Sequence, residues 1–345
     1  MQGHAAFLES ERRRILRLYE EGRAMRYIIV FLKISIAILV IFYLFKSGWL
    51  TKETFTKLFR MDNTPPLILS GLFFMIAQVL STSRLLLLLR AIDFPLRFSK
   101  AFKLVMVGNF LNTVIPGMVG GDLVKGYYLV KKEEERRGQS AGIIIMDRVL
   151  GLLALIFIAG VSIIYLLWQK NSILYPYRYE SYIVLAVIGS VSALFGAFFV
   201  LGRNQQMSEK IGAFFAAIFR KSIFYYLLEG FGMLAKHYQI LMYSFFISIL
   251  IQMCSLAGLL ILGNTVSRGL PGIITLVAVS TLVMLVSVIP MTPGNLGWTE
   301  LIAAYSWTAV GSNAGATIFL SWRIVTVICS LPWGMVFLFM AHWRK

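Results

Sequence analysis

Two acids and two arginines recur in the same order in the two halves of this chain. Asp122 follows the break I-P-G-M-V-G-G, and Glu300 follows the break I-P-M-T-P-G-N-L-G-W-T. An arginine lies in the apolar stretch beyond each break, Arg148 in the first half and Arg323 in the second. Counted from the first proline of the break, the two distances along the chain differ by one residue. An ionisable side chain within a membrane span costs ~2.5–3.5 kcal/mol on insertion scales, so retained ones commonly have a function. Two cations from equivalent helices suit a lipid phosphate, and pairing with the two acids would form a charge lattice that a headgroup can enter.

Each of these four residues also has a structural interpretation. An arginine can bond the carbonyl groups of a broken helix or extend to the lipid interface. An acid in the first turn of a helix satisfies free N–H groups and the helix dipole. Polar residues beside the breaks, among them Asn109, Thr113 and Thr292, can bond either freed backbone or a ligand. The residues predicted to contact a substrate are Arg148, Arg323, Asp122, Glu300, Asn112, Lys125 and Asn295, with Lys125 placed at the cytoplasmic interface.

The two breaks are rich in proline and glycine. Hydrocarbon cannot satisfy the N–H and C=O groups freed at a break, so these segments must line a cavity or lie inside the protein. Interrupted hydrophobic segments at matching positions in two halves indicate a transporter-like binding site built on an internal repeat. The residues expected to form the breaks are Pro116, Gly117, Gly120 and Gly121 in the first half and Pro290, Pro293, Gly294 and Gly297 in the second.

The composition is that of a polytopic helical membrane protein. Hydrophobic residues make up 58% of the chain and charged residues 14%, and the charges are grouped between long apolar runs. The net charge is +17, but the basic residues flank apolar spans, which favours contact with anionic lipids over nucleic-acid binding. The two cysteines lie within apolar spans and the three histidines are scattered, so we predict no metal site and no cofactor.

Six full membrane spans are predicted, because about 20 apolar residues cross a bilayer. The lysines and arginines concentrate in loops that place both termini in the cytoplasm. By the same rule, the first broken segment enters from the cytoplasm and the second from outside. Lys33 and Arg84 each lie about six residues inside a span, where extension of the side chain to the interface explains them. The predicted spans are 27–46, 65–90, 141–168, 181–202, 239–263 and 316–341.

The predicted fold is therefore an all-α inverted repeat with two re-entrant broken-helix hairpins. A basic cytoplasmic or interfacial helix precedes a single transmembrane domain. The segments are 1–26 for that helix, 27–345 for the transmembrane domain, about 65–202 for the first repeat with its hairpin at 101–130, about 239–341 for the second with its hairpin at 272–310, and 203–236 for a cytoplasmic interfacial segment between them.

Four motifs resemble those of the lysylphosphatidylglycerol synthase transmembrane-region family: V-I-P-G-x-x-G-G-D, D-R in the next helix, P-x-T-P-G-N-L-G-x-x-E, and a final helix with an arginine and L-P-W-G. The resemblance covers nearly all of the chain after the first span. It implies a flippase-like membrane region, which in fused bacterial members is followed by further spans and a soluble aminoacyl-transferase domain. This chain stops at Lys345 with nothing resembling that domain, so aminoacyl transfer is not expected.

Two functions of different classes remain open. The first is a membrane lipid translocase, a flippase or scramblase, that moves a lipid with a charged or phosphate-containing headgroup between leaflets. No Walker A motif is visible, so its energy would come from a gradient, a partner, or none. The second is a membrane-embedded lipid-modifying enzyme, or an accessory subunit of a lipid glycosyl or aminoacyl transferase, although no H-E-x-x-H motif and no histidine near the breaks supports it.

The expected partners are membrane lipids. They are anionic or zwitterionic phospholipids or glycolipids, and no nucleic acid is expected. A second copy of the chain or a lipid-synthesis enzyme is the protein partner that we consider. The resemblance implies the bacterial cytoplasmic (inner) membrane as the location.

Overall fold

The computed structural model describes residues 64–114, 120–132, 137–169, 237–266, 271–289 and 291–342, together with scattered positions between 35 and 196. The predicted basic helix 1–26, the span 27–46 and the interfacial segment 203–236 lie outside the described residues or touch them only at isolated positions. The same holds for most of the span 181–202.

Eight helices form the described part of the chain, in which no strand occurs. The first begins at Thr64-Pro65-Pro66, where proline suits the first helical turn because the N–H that it lacks would have no partner there. A single 3₁₀ turn, Pro293–Asn295, lies between the sixth and seventh helices. The helices are α1 Thr64–Arg90, α2 Phe98–Val114, α3 Gly120–Lys132, α4 Arg137–Trp168, α5 Tyr238–Val266, α6 Ile273–Val286, α7 Trp298–Thr308 and α8 Gly315–His342.

Four of these helices, α1, α4, α5 and α8, are long and apolar enough to cross a membrane. They correspond to four of the six predicted spans. The helix α6 is also apolar but has only 14 residues. At 1.5 Å per residue it reaches roughly 21 Å, which is short of a ~30 Å hydrocarbon core. The helices beside the two breaks are therefore too short to span on their own, as the sequence predicts.

The helices of the two halves correspond in order, α1 to α4 with α5 to α8. Each main helix–helix contact in the first half has a counterpart in the second when the halves are exchanged. The contact of α4 with α6, for example, is matched by the contact of α8 with α2. Each half also has its own apolar core with a buried residue from each helix: Leu88, Val105, Leu129 and Met146 in the first, and Leu259, Val283, Trp307 and Ile318 in the second.

The two equivalent helices α1 and α5 pack against each other and run in opposite directions. The hydroxyl of Ser70 donates to the carbonyl oxygen of Gly258 at 3.0 Å. Further along α1, Arg84 Nη1 donates to Ser248 Oγ at 2.8 Å, and Ser248 comes earlier along α5. Two halves of opposite orientation require this antiparallel arrangement of equivalent helices.

Candidate functional site

The first acid–arginine pair joins the start of α3 to α4. Asp122, in the first turn of α3, accepts a hydrogen bond from Arg148 Nε at 2.5 Å. Lys125, one turn further along α3, places Nζ 3.6 Å from the other carboxylate oxygen. The Asp122 side chain is 15% exposed, whereas that of Arg148 is 49% exposed. The predicted pairing of Asp122 with Arg148 is therefore confirmed, and its cation is accessible.

The second pair has the same order but is buried more deeply. Glu300 accepts from Arg323 Nε at 2.8 Å, and its side chain is 2% exposed. Its other oxygen accepts from the backbone N–H of Gly297, the residue that caps α7, at 2.7 Å. The remaining guanidinium nitrogens of Arg323 donate to the carbonyl oxygens of Gly294 and, at 3.1 Å, Asn295. The predicted pairing is confirmed. The structure also shows both structural roles considered from the sequence: Arg323 bonds carbonyl groups of the break, and Glu300 accepts from a free N–H at the start of α7.

The second break is held open by residues with positive φ. Gly294 and Gly297 have φ values of 55° and 83°, and Asn295 has 55°. Such values favour glycine because no Cβ clashes with the following backbone, and asparagine tolerates them better than most residues. The amide NH₂ of Asn295 donates to the carbonyl oxygen of Ser287, which ties the break to the end of α6. The structure thus gives Asn295, a predicted substrate contact, a role within the break.

The helices on either side of the first break, α2 and α3, are in close contact. A Cβ on Gly121 would lie 2.0 Å from the carbonyl oxygen of Gly108, so only glycine fits at this approach. The side-chain oxygen of Asn112 accepts from the N–H of Gly121 at 2.8 Å, which satisfies one free donor at the start of α3. Of the other predicted break residues, Gly120 begins α3 and Pro293 begins the 3₁₀ turn, while Pro116, Gly117 and Pro290 lie outside the described residues.

A third ion pair, which is buried, was not predicted. Arg84 Nε lies 2.8 Å from Asp147 Oδ1, and the Arg84 side chain is only 8% exposed. Because its Nη1 also bonds Ser248, Arg84 connects α1 and α4 of the first half to α5 of the second. The predicted extension of Arg84 to the interface is wrong. The signal in the sequence is Asp147, which directly precedes Arg148 within an apolar span and needs a cation there.

Lys125, which the sequence predicts to contact a headgroup at the cytoplasmic interface, is buried beside Asp122 in the structure. The short helix α3 packs against both α2 and α4, so its inward face is covered on two sides. Lys125 lies on that face.

These charged residues meet around one cavity of about 560 Å³ that is lined by both halves. Arg84, Lys125, Asp147 and Arg148 reach it from the first half, and Arg323 from the second. Asn112 lines it as well. The acids Asp122 and Glu300 are not part of the lining and lie behind the cations that they pair with, and Asn295 does not line it either. The other lining side chains include the amides Gln78, Asn109 and Gln252 and the apolar groups Phe74, Leu152, Leu155, Ile251, Phe319 and Trp322.

The amides of the lining link neighbouring helices. Asn109 on α2 donates to the side-chain oxygen of Gln78 on α1. Gln252 on α5 donates to the carbonyl oxygen of Gly151 on α4 at 3.3 Å. Sequence reasoning missed Gln78 and Gln252, because a single amide in an apolar span has no pattern that shows which way it faces. The cavity wall thus combines cations, hydrogen-bonding amides and apolar surface, a combination typical of small-ligand sites.

One further sequence string matches a catalytic motif. G-Q-S-A-G at 138–142 has the spacing of the nucleophile elbow of hydrolases. That elbow requires a strand, a sharp turn and a helix, so that the serine is exposed. Here the string lies within α4, and Ser140 is fully buried. The local structure does not fit the motif.

Comparisons with known proteins agree with the membrane architecture. A family profile described as lysylphosphatidylglycerol synthase TM region matches residues 30–334. A UPF0104 membrane protein of Methanothermobacter thermautotrophicus is 23% identical over 300 residues, which is 80% of this chain and 84% of the relative. A UPF0104 membrane protein of Methanocaldococcus jannaschii is 26% identical over 158 residues, 45% of each chain. These relatives are themselves described only as membrane proteins.

Proposed function

Because this chain belongs to the lysylphosphatidylglycerol synthase transmembrane-region family, and is an integral membrane protein, we propose that it is a lipid translocase. Its substrate is a lipid with a phosphate-containing headgroup, which moves between the leaflets of the cytoplasmic membrane. The headgroup passes through the cavity between the two halves, while the acyl chains stay in the surrounding lipid.

The single observation that carries this proposal is the cavity to which both halves contribute a buried or half-buried arginine. Its volume of about 560 Å³ suits a headgroup and not a whole lipid. Arginine binds phosphate with a planar set of donors, and the cavity lining includes one such arginine from each of the two equivalent helices α4 and α8. Apolar side chains, among them Leu155, Ile251 and Phe319, form another part of the wall.

The proposed topology follows from the internal symmetry. Six spans and two re-entrant hairpins of opposite orientation place both termini in the cytoplasm and the two breaks near mid-depth. The antiparallel packing of α1 and α5 supports this arrangement. Rocking of one half against the other would then open the cavity to each leaflet in turn.

Reconstitution into liposomes tests the proposal directly. The purified protein is inserted into vesicles that carry a fluorescently labelled phospholipid, and a membrane-impermeant quencher then reports how fast the label reaches the outer leaflet. Lipid extracted from the same vesicles is analysed by mass spectrometry. Leaflet exchange without chemical change is expected. Modified lipid without exchange would instead support the enzyme alternative.

Both arginines are expected to matter for exchange. A charge-assisted hydrogen bond contributes about 1.5–3 kcal/mol, so Arg148→Gln or Arg323→Gln should slow exchange about tenfold or more. Lysine at either position should restore only part of the rate, because it lacks the planar fork. Lys103→Gln is the matched control, because Lys103 is an exposed cation of α2 outside the cavity lining. Folded glutamine variants with unchanged exchange would remove the two arginines from the site.

A further inference from the structure

We infer that the headgroup lies along α1 and carries a polyol: its phosphate binds Arg84, and hydroxyl groups of its alcohol bond Ser81 and Gln78. The ligand class is a phospholipid whose alcohol keeps at least two hydroxyl groups, such as glycerol, inositol or a sugar. The inference rests on the proposed translocase function, because it names the lipid that the same cavity takes.

One face of α1 forms part of the cavity wall. Phe74, Gln78, Ser81 and Arg84 line the cavity and are spaced by four, three and three positions. Residues at this spacing lie on one side of a helix, and three positions correspond to a rise of about 4.5 Å. A polyol attached to a phosphate at Arg84 therefore reaches Ser81 first and Gln78 second.

The hydroxyl of Ser81 differs from those of its neighbours in α1. Thr82 and Ser83 donate to the carbonyl oxygens four residues earlier, at 2.8 and 3.0 Å, which is a common way for a hydroxyl in a helix to satisfy its donor. Ser81 lines the cavity and has no hydrogen-bond partner in the part of the chain that the structure describes. Its hydroxyl can therefore both donate to a ligand and accept from one.

The amides of the lining also keep groups for a ligand. Gln78, only 9% exposed, accepts from Asn109 through its oxygen, and its NH₂ has no acceptor among the described residues. Gln252 donates to the carbonyl of Gly151, and its own oxygen accepts from no described residue. The wall thus offers both donors and acceptors. A hydroxyl both donates and accepts, whereas an ammonium group only donates and a choline group does neither, so a polyol suits this wall best.

Arg84 forms the phosphate end of this face. Its Nε donates to Asp147 and its Nη1 to Ser248, both at 2.8 Å, whereas no acceptor for Nη2 occurs among the described residues. The side chain is 8% exposed and lines the cavity. A phosphate at Nη2 therefore meets a guanidinium that is largely removed from water, where a charge-assisted hydrogen bond is strong.

Two lipids of equal charge test the polyol directly. Phosphatidylglycerol and phosphatidylpropanol share the phosphodiester and a three-carbon alcohol, but only the first carries two free hydroxyl groups. Detergent-purified full-length protein is titrated calorimetrically with the dihexanoyl form of each, and forms labelled on an acyl chain are compared in the vesicle assay. We expect binding and exchange of phosphatidylglycerol to be favoured about tenfold, as two neutral hydrogen bonds would give. Glycerol phosphate, the soluble probe, should bind much more weakly because it lacks acyl chains.

Matched variants assign the contacts. Ser81→Ala should lower the preference for phosphatidylglycerol by about fivefold, the effect of one hydrogen bond, and Gln78→Met should lower it similarly. Ser83→Ala is the control, because Ser83 is bonded within α1 and lies outside the lining, so its preference should equal that of the unmodified protein. Arg84→Gln with Asp147→Asn removes a contact common to both lipids without leaving an unpaired acid. It should weaken binding of both and keep their ratio.

The outcomes separate the two proposals. Equal binding and exchange of the two lipids, or a preference that Ser81→Ala and Gln78→Met both leave unchanged, would exclude the polyol site while the translocase stands. Selective binding of phosphatidylglycerol with no exchange of any lipid would contradict the translocase and retain the site. Glycerol phosphate that binds as tightly as the dihexanoyl lipid would overturn the assignment to a lipid. A changed lipid ratio in the Arg84→Gln/Asp147→Asn variant would show that the phosphate is not at Arg84.

Discussion

Replacing the two equivalent arginines by glutamine should affect the stability of the folded protein very differently. Arg323→Gln leaves the Glu300 carboxylate, which is 2% exposed, without a cation and removes the donors to two carbonyls of the second break. Breaking a buried pair in this way costs about 3–5 kcal/mol. Arg148→Gln removes a side chain that is 49% exposed, and Asp122 keeps Lys125 at 3.6 Å. Pairs as exposed as this one contribute about 0–1 kcal/mol.

Thermal unfolding of the purified variants in detergent measures the difference. A gap of about 3 kcal/mol corresponds to a difference in Tm on the order of 5 °C, with Arg323→Gln the less stable variant. Adding Glu300→Gln to Arg323→Gln should recover part of the loss, because the unpaired charge is then gone while the side chain can still accept from Gly297. Equal Tm values for the two single variants, or no recovery in the double variant, would refute this account of the second break.

Two further predictions concern the first break and the topology. Gly121→Ala should prevent stable folding, because its Cβ would lie 2.0 Å from the carbonyl oxygen of Gly108. The control Gly272→Ala should be tolerated, because no atom lies within 4 Å of the added Cβ. Expression and gel filtration of the two variants test this prediction. The topology is tested with single cysteines in a background without the two native cysteines. Glu133→Cys should react with an impermeant maleimide only from the cytoplasm, and Asn313→Cys only from outside. Reaction of both from the same side would rule out hairpins of opposite orientation.

The parts of the site that repeat could be predicted from the sequence. A break, an acid and an arginine occur in the same order in each half. Spacing and charge alone therefore predict two pairs, Asp122 with Arg148 and Glu300 with Arg323. Repetition gives two independent examples of one local structure, and local structure depends on residues close in the chain. The positive φ value at Gly294 could also be expected from the sequence, because the pair Pro293-Gly294 indicates a turn.

The parts that depend on packing between distant helices could not be predicted. A cation six residues inside a span can extend to the interface or turn inward, and the choice for Arg84 depends on Ser248, which is 164 residues away in the chain. The burial of Lys125 was not predicted for a similar reason, because the sequence of a helix of 13 residues does not show which of its faces are covered. Asp147 was the available clue, since an acid in an apolar span requires a partner.

The correspondence of packing contacts between the halves has a consequence for energetics. If each half adopted the conformation that the other now has, the same pairs of helices would be in contact again. The side chains that differ between the halves then determine the difference in free energy between the two arrangements. Asp147 in the first half occupies the place of Trp322 in the second, and the Arg84 bond to Ser248 joins the halves in the present arrangement. In the proposed translocase, these few polar residues set which leaflet the cavity of the resting protein faces. A ligand that competes for Arg84 shifts the equilibrium between the two arrangements only by the difference in its affinity for them.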